Sequence, residues 1–369
     1  MNVLHVVSVY SDDGSSGGPV RVASAQVDHL RADGVNATLV GSSPHARSTN
    51  RGSTRQFRGV LIPGLGPAGA FSFPLLWWVI RNIRYFDVVH VHLSRDLVTL
   101  PVALVTLVAR ASLVVQPHGM IDLSTRWMAR IIDLTCLRRI LRKADAIVAL
   151  TSTEEADLRE VEDSLGTVVI LPNSMRLPGG VEGAARLPRE VLFLARLHER
   201  KRPEMFTQMA LKLIAEGDAE TLFVLVGPDE GAICAPMASV EESGLSDRIT
   251  WEGPIRSDRV LDRLRGAYVY VLPAKKEPFG LTIIEALAVG TPAVVTDDAA
   301  LAEEIVAADC GSTFDGTVDD LARVIRRYLD DPELRERQSK TASLFVQQKY
   351  SDAGLSSRLS EIYLTAITS

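Results

Sequence analysis

The strongest constraint on the fold is an alternation of short apolar segments with helical segments, which starts again near the middle of the chain. Residues 2–8 are apolar and β-branched, a glycine-rich loop follows at 12–19, and a helical pattern at 20–33 leads to a second apolar segment at 37–41. Continuous apolar strands are typical of parallel sheets that are buried on both faces. This pattern predicts the opening of a doubly wound parallel sheet.

The same pattern fills both halves of the chain, which at 369 residues is too long for one ordinary domain. Further strands are predicted in the first half at residues 88–92, 113–117, 146–150 and 167–171. Second-half strands are predicted at 191–195, 221–226, 249–252, 267–272 and 292–296, with helices at 202–216, 260–265 and 281–288. The polar segment 43–58 is predicted to be a mobile loop, 175–188 a linker and 331–368 helical.

The predicted fold class is α/β, with two Rossmann-like doubly wound parallel-sheet domains facing each other across a cleft. We expect the domains to cover residues 1–176 and 177–349, and a last helix at about 350–369 to pack back on the first domain. Because open parallel sheets bind ligands outside the carboxyl ends of their strands, the cleft is the expected ligand site.

Composition excludes several classes of protein. The chain is 46% hydrophobic and 23% charged, which is typical of globular domains. Its three cysteines form no C-x-x-C pair, so neither a disulfide framework nor a structural zinc site is expected. The apolar run 98–109 is shorter than the ~20 residues of a membrane span. No signal-peptide pattern opens the sequence, and the cytoplasm is the expected location.

Charge is distributed unevenly. Residues 1–180 contain 18 Lys and Arg against 15 Asp and Glu, whereas the rest contain 22 against 31 and the whole chain has a net charge of −6. Some of the surplus basic residues of the first half lie in the amphipathic stretch 126–143, where Trp127, Met128, Ile131 and Ile132 alternate with arginines. Two interpretations stay open: peripheral contact with an anionic inner membrane face, or a helix that packs on the core with a solvated basic face. Nucleic-acid binding is not expected from an acidic chain.

The most specific local pattern is Glu277-Pro278-Phe279-Gly280-Leu281 followed by Glu285. It joins a predicted strand to a predicted apolar helix, so backbone N–H groups are exposed at a helix start, where phosphate or sugar oxygens bind readily. Carboxylates on either side can accept hydrogen bonds from neighbouring hydroxyls.

A basic loop follows the first strand of the second half. Arg196 and Lys201 are five positions apart in it, which allows both cations to converge on a leaving diphosphate. Arg200 and Arg202 are expected to be solvated or paired at the surface.

Two further loops of the first half carry candidate residues. Gly17-Gly18-Pro19 follows the first strand, where glycines permit close backbone approach, but it lacks the G-x-G-x-x-G pattern of dinucleotide-binding dehydrogenases. His118 follows a predicted strand and can hydrogen-bond a hydroxyl. His92 is a second cleft candidate, and His90 is interpreted as structural. No set of side chains in the sequence indicates a metal site.

Together these motifs resemble glycosyltransferase family 4, retaining enzymes of the GT-B fold, over nearly the whole chain. The resemblance also includes the Leu171-Pro172-Asn173 and Trp251-Glu252-Gly253 segments. It departs from the family pattern at Ala195 and Arg202 of the basic loop and at Ser174 after Pro-Asn. These departures spare the cation pair and both glutamates.

The resemblance implies a first domain that binds the acceptor and a second that binds a nucleotide sugar. In the second domain, Glu285 would bind the ribose hydroxyls, and Glu277 would contact the transferred sugar beside the backbone of Phe279, Gly280 and Leu281. Arg196 and Lys201 would hold the diphosphate, and backbone around Gly253 and Ile255 would meet the base.

In the first domain, the resemblance implies that the Gly17-Gly18 loop would approach the distal phosphate and that His118 would approach the transferred sugar. His118, Glu277, Arg196 and Lys201 are thus the predicted catalytic residues.

The predicted reaction is retaining transfer of a sugar from a UDP- or GDP-sugar to a hydroxyl acceptor, without metal or other cofactor. A lipid-linked or cell-surface glycan precursor is the expected acceptor, as in polysaccharide biosynthesis. The alternatives are a soluble small-molecule glycosyltransferase, a non-catalytic nucleotide-sugar-binding protein, and another GT-B activity such as an epimerase or a phosphorylase.

Overall fold

The computed structural model describes residues 1–10, 18–43, 50–51, 54–62, 69–123, 127–176 and 189–368. The chain divides into two compact units. Unit 1 comprises residues Met1–Ser174 and Ala353–Ser369, and unit 2 comprises Met175–Asp352.

The centre of unit 1 is an eight-stranded sheet with the order β10-β9-β8-β7-β1-β2-β4-β3. Its strands are β1 (Asn2–Val9), β2 (Asn36–Ser43), β3 (Asn50–Arg51), β4 (Thr54–Arg58), β7 (Val88–Val91), β8 (Ser112–Val115), β9 (Ala146–Ala149) and β10 (Val168–Ile170), and the short pair β5 (Val60–Leu61) and β6 (Ala70–Phe71) forms a separate hairpin. All neighbours in the large sheet are parallel except β3 and β4.

Helices cover both faces of this sheet. They are α1 (Gly18–Ala32), α2 (Phe73–Asn82), α3 (Thr99–Ala109), α4 (Trp127–Ile132), α5 (Arg138–Lys143), α6 (Ser152–Val161) and the C-terminal α14 (Leu355–Thr368); a π-helical turn joins α4 to α5. Successive residues of β1 point to opposite faces, as the pleat requires. Leu4 packs in the core beneath α2 and α3, whereas Val3 packs with α1 and α14.

Unit 2 contains a six-stranded sheet with the order β13-β12-β11-β14-β15-β16, parallel throughout. Its strands are β11 (Glu190–Leu194), β12 (Leu222–Val226), β13 (Ile249–Trp251), β14 (Val269–Leu272), β15 (Ala293–Thr296) and β16 (Gly311–Phe314). Its helices are α7 (Pro203–Ala215), α8 (Cys234–Glu242), α9 (Val260–Arg265), α10 (Leu281–Ala288), α11 (Ala302–Ala307), α12 (Val318–Asp330) and α13 (Pro332–Lys349). The prediction of two parallel-sheet α/β domains is confirmed.

The structure differs from the sequence prediction in several places. Thr54–Arg58, predicted as part of a mobile loop, is a strand paired with β2, because its backbone completes the parallel ladder despite polar side chains. β16 was not predicted, since Gly311 and Ser312 weaken its apolar pattern. The predicted helical stretch 331–368 is interrupted between Lys349 and Leu355, so that α13 belongs to unit 2 and α14 to unit 1. Within the described ranges, no helix combines the length and apolarity needed to cross a bilayer.

Candidate functional site

The candidate residues of unit 2 collect at one edge of its sheet. Because the six strands are parallel, the loops after β11, β12, β13 and β14 all leave at their carboxyl ends. These loops carry Arg196, Gly227, Gly253 and Glu277, respectively.

The closest contact among the predicted residues joins Lys201 to Glu277. Lys201 Nζ donates to Glu277 Oε2, and the two side chains are only 14% and 6% exposed. Burial lowers the pKa of Lys201; the Glu277 carboxylate opposes this effect, and Arg200 and Arg196 lower the pKa further. Three cations therefore act on one another in this loop, and one carboxylate balances the most buried of them.

Backbone hydrogen bonds hold the loops that carry this pair. The amide of Lys275 donates to the carbonyl of Arg200 at 3.0 Å, which links the loop after β14 to the loop after β11. The carbonyl of Glu277 accepts from Ala300 N at 2.9 Å. The pair is thus fixed on both sides by main chain.

Helix α10 begins directly after the pair. Gly280 precedes it with φ of +71°, and a Cβ there would lie 2.5 Å from Ile283 Cδ1, so this turn requires glycine. Phe279 is buried against the edge of Tyr350, with ring centroids 5.7 Å apart. Backbone N–H groups at the start of a helix have no partners within the helix, so the first turn around Leu281 can bind an anion.

Glu285 lies on α10 and is only 4% exposed, although the residues around it are apolar. Glu277 and Glu285 both act on Tyr270, whose pKa is raised first by burial and then by these two carboxylates. Tyr270 Oη bonds Thr282 Oγ1 at 2.7 Å, which ties β14 to the first turn of α10. Both carboxylates therefore act electrostatically on the same tyrosine hydroxyl.

Arg196 is placed differently from Lys201. Its guanidinium donates to Glu230 Oε1 at 3.0 Å, and its side chain is 56% exposed. The predicted cation pair is thus one largely buried lysine and one exposed arginine, each with its own carboxylate.

The predicted base-binding segment lies beside the loop after β12. Gly253 has φ of +78°, its carbonyl accepts from Gly227 N at 2.8 Å, and Trp251 Nε1 donates to the Gly227 carbonyl at 3.0 Å. A Cβ at Gly227 would lie 1.9 Å from the Ala195 carbonyl oxygen, so the neighbouring loops touch backbone to backbone. Ile255 is half-buried in the same loop.

In unit 1, His118 lies just beyond the carboxyl end of β8 and is 8% exposed. It has a left-handed backbone with φ of +57°, and the next residue, Gly119, donates its N–H to Glu154. Glu154 also accepts from Leu150 N at 2.6 Å, and burial raises the pKa of its carboxyl. A buried carboxylate therefore holds the turn that presents His118. Gly18 is the first residue of α1, whereas Gly17 lies outside the described residues.

Sequence reasoning missed several of these partners. Glu154 satisfies the His118-Gly119 turn from α6, and His5 and Tyr363 belong to a chain of side chains that reaches His118 through His92. The two histidines at the alternate positions 90 and 92 were a sequence indication of this row of hydrogen-bonded side chains. No local sequence pattern indicates that His5 and Tyr363 contact them.

The chain is similar to known proteins in both sequence and fold. The family model described as Glycosyltransferase Family 4 matches residues 16–176, and the model described as Glycosyl transferases group 1 matches residues 182–345. The chain is 30% identical over 213 residues to a D-inositol 3-phosphate glycosyltransferase of Rhodococcus opacus, a match that covers 53% of this chain and 48% of that protein. It is 30% identical over 248 residues to the protein of the same name from Thermomonospora curvata, covering 60% and 57%. The chain thus spans about half the length of the curated relatives it matches.

Solved structures match over the whole fold. Sucrose-phosphate synthase from Thermosynechococcus elongatus superposes with a TM-score of 0.75 at 19% identity, covering 100% of both chains. Anabaena HepE in complex with UDP gives 0.74 at 16% identity, covering 98% and 99%. WaaG, a glycosyltransferase involved in lipopolysaccharide biosynthesis, gives 0.73 at 16%, also covering 98% and 99%. The two adjoining family models and the shared fold lead to one conclusion: the chain belongs to the glycosyltransferases of family 4, with the GT-B fold.

Proposed function

We propose that this protein transfers a sugar, with retention of anomeric configuration, from a UDP- or GDP-sugar to a hydroxyl acceptor. The observation that carries the proposal is the Lys201–Glu277 ion pair, which stands at the start of α10 with Glu285 buried on the same helix. A nucleoside diphosphate sugar has a negatively charged diphosphate and several pairs of neighbouring hydroxyls. The carboxyl edge of the unit 2 sheet carries cations that can bind the diphosphate and carboxylates that can bind the hydroxyls.

The diphosphate is matched by positive charge. Lys201 and Arg196 lie on one loop, and the first turn of α10 adds the partial positive charge of a helix N-terminus. Stabilising charge on the leaving diphosphate lowers the barrier of transfer directly. Since Arg196 is paired with an exposed carboxylate, it can turn to a ligand at little cost.

The hydroxyls are matched by carboxylates. We assign Glu277 to the transferred sugar, beside the backbone of Phe279, Gly280 and Leu281, and Glu285 to the ribose. Gly253 and Ile255 would meet the base through backbone. His118, Gly17 and Gly18 keep the roles that the family resemblance implies, as proposals.

The names of structural neighbours support a nucleotide-sugar donor. Anabaena HepE has been solved in complex with UDP and with UDP-glucose, and WaaB is described as a lipopolysaccharide outer core galactosyltransferase. We extend the donor class from these proteins to this chain as a proposal.

Two measurements test the reaction. Thermal-shift screening against UDP, GDP, ADP and their sugars identifies the donor, because a ligand at 100 times its Kd stabilises a fold by about 2.7 kcal/mol. Release of the nucleoside diphosphate with candidate acceptors, followed by NMR of the product anomer, tests transfer and retention. Product formed without an acceptor would indicate an epimerase, dependence on inorganic phosphate a phosphorylase, and binding without turnover a non-catalytic protein.

For the acceptor we propose a lipid-linked or surface-glycan precursor reached at the cytoplasmic face of an anionic membrane. The evidence for this membrane contact is the exposure of apolar side chains in the segment from α4 to α5. Leu137, Ile140 and Leu141 are buried in unit 1, while Trp127, Ile131 and Leu134 are 70%, 51% and 67% exposed. A helix that only packs on the core would bury its apolar side chains, and here a second apolar face remains in solvent.

Basic side chains accompany this exposed face. Arg130, Arg139, Arg142 and Lys143 are exposed, whereas Arg138 is half-buried. The segment is anchored because Arg95 donates to both oxygens of Asp133, at 2.8 and 3.1 Å. Each basic residue near an anionic surface contributes about 1 kcal/mol, which falls off within a Debye length.

Flotation with vesicles of anionic or neutral lipid tests the membrane contact. We expect binding to anionic vesicles that fades at high salt, and loss of binding in the Arg130→Glu, Arg139→Glu double variant. The matched control reverses Arg256 and Arg259, which are also exposed but lie on unit 2. No binding at low salt would favour a small soluble acceptor instead.

A further inference from the structure

A continuous chain of buried polar side chains runs from α14 to His118 inside unit 1. Tyr363 Oη lies 3.1 Å from His5 Nε2, His5 Nδ1 lies 3.1 Å from His92 Nε2, and His92 Nδ1 lies 2.7 Å from His118 Nε2. On its other side, Tyr363 Oη lies 2.7 Å from His90 Nδ1. The five side chains are between 0% and 8% exposed.

Three of these histidines, His5, His90 and His92, lie close enough together to be considered as metal ligands. Their geometry argues against this role. The rings of His90 and His92 are stacked with 7° between their planes and centroids 4.7 Å apart, so their in-plane lone pairs point along parallel planes rather than toward one ion. His5 and His92 are also already within hydrogen-bond distance of each other.

All members of the chain are electrically neutral near pH 7. Burial lowers the pKa of His5 and of His118 to about 3. It also lowers the pKa values of His90 and His92 well below the ordinary value and raises that of Tyr363. A neutral imidazole has one N–H donor and one bare acceptor, so each hydrogen bond in the chain dictates the direction of the next.

The direction is set at the Gln116 end. Gln26 Nε2 donates to Gln116 Oε1 at 3.1 Å, which leaves Gln116 Nε2 to donate elsewhere. Among the described residues, Gln116 Nε2 and His90 Nε2 are both buried without a hydrogen-bond partner. The two side chains interact, because Gln116 acts on the pKa of His90. A hydrogen bond donated by the Gln116 amide to a bare His90 Nε2 would satisfy both atoms.

We propose that Gln116 and Tyr363 are positioning residues, which hold His118 in the tautomer with its proton on Nδ1. Gln116 donates to His90 Nε2, so His90 carries its proton on Nδ1 and donates to Tyr363. Tyr363 then donates to His5 Nε2, His5 Nδ1–H to His92 Nε2, and His92 Nδ1–H to His118 Nε2. No proton leaves the chain; the bonds only fix where each proton resides.

The consequence is a neutral N–H donor at His118 Nδ1. The use of this donor toward a sugar hydroxyl rests on the proposed function, whereas the tautomer itself does not. A residue on the last helix thereby sets the hydrogen-bonding character of a predicted catalytic residue.

The full-length chain labelled with ¹⁵N-histidine tests the proposal by NMR at pH 7. We expect His118 to show a protonated Nδ1 and a bare Nε2. In Tyr363→Phe, which removes only the linking hydroxyl, both tautomers should become populated. In a turnover assay the same variant should lower kcat by at least fivefold and change the donor KM less than twofold.

Tyr328→Phe is the matched control, since Tyr328 is a buried tyrosine of unit 2 whose hydroxyl bonds Ser312 at 2.9 Å. It should leave the His118 spectrum unchanged. If Tyr363→Phe does not fold, Gln116→Met removes the donor at the other end and should give the same mixture. A cationic or Nε2-protonated His118, a spectrum unaltered in both variants, or stoichiometric zinc by elemental analysis would overturn the proposal. The NMR outcome holds whether or not transfer is detected.

Discussion

Lys201 and Glu277 form an ion pair that is largely removed from solvent and stands between two loops of unit 2. Lys201 belongs to the loop after β11 and Glu277 to the loop after β14, 76 residues later. The pair therefore has two functions to serve: it joins the loops, and it supplies a cation and a carboxylate to the proposed donor site.

We expect Lys201→Met and Glu277→Gln each to destabilise unit 2, because either leaves a buried partner uncompensated, at a cost of about 3–5 kcal/mol. The double variant should lose less than the sum of the single losses, as coupled neighbours do. Urea unfolding at pH 7 measures the cycle. Lys212→Met, which breaks an exposed pair with Asp319, is the control and should have no measurable effect. Additive losses would show that the two side chains do not depend on each other.

Glu285→Ala should weaken binding of the donor nucleotide without unfolding the protein. Loss of a hydrogen bond to a charged group costs about 1.5–3 kcal/mol, or roughly 10- to 150-fold in Kd. Calorimetric titration with UDP or GDP gives the affinity. Glu303→Ala, an exposed glutamate on α11, is the control. Equal affinities for Glu285→Ala and the wild type would exclude Glu285 from the site.

Gly280→Ala should reduce both stability and donor affinity. Alanine in the left-handed region costs about 1–2 kcal/mol, and its Cβ would also meet Ile283 Cδ1 at 2.5 Å. Gly244→Ala separates the two effects, because Gly244 has nearly the same φ, +69° against +71°, with open space around it. Thermal unfolding should show the smaller loss for Gly244→Ala, and only Gly280→Ala should weaken nucleotide binding. Equal losses would mean that packing at Gly280 is unimportant.

Activity should survive chelation of divalent cations. The positive field at the diphosphate is assigned to Lys201, Arg196 and the start of α10, so no ion is needed to neutralise the leaving group. Turnover is measured before and after treatment with EDTA, with donor binding followed in parallel. Complete loss of turnover that magnesium or manganese restores would contradict this assignment.

Unit 1 should lose stability as pH falls below about 6.5. His5 and His118 have folded pKa values of about 3, far below the ordinary value of 6.5, so the unfolded chain binds protons that the folded chain does not. Stability is therefore present above pH 6.5 and decreases toward pH 3, by about 1.4 kcal/mol per pH unit for each such histidine. His90 and His92 act in the same direction.

Urea unfolding of unit 1 between pH 7.5 and 5 measures this slope. The raised pKa values of Asp96 and Glu154 act in the opposite direction, because their folded forms bind protons more readily. His198→Gln, a substitution in unit 2, should leave the slope of unit 1 unchanged, whereas His5→Gln should reduce it. A stability that does not change over this range would show that the buried histidines are not neutral.

Local pattern was sufficient for much of the architecture. Strand β1 and helix α10 were predicted close to their observed bounds, since a buried parallel strand is a continuous apolar run and a helix shows its own periodicity. β4 was missed because its backbone pairing with β2, rather than its side chains, makes it a strand. Pairing of this kind depends on a distant segment and leaves little trace in local composition.

The residue types of the candidate site could likewise be predicted from the sequence, and their partners could not. Arg196, Lys201, Glu277 and Glu285 stand out because charges and glycines interrupt apolar segments at strand ends, which parallel topology brings to one edge. That Lys201 pairs with Glu277, and that Tyr363 reaches His118 through His5 and His92, was decided only by the tertiary structure. Contacts between residues 26 to 358 positions apart depend on how the sheets place their strand ends and helices, and no local pattern encodes that placement.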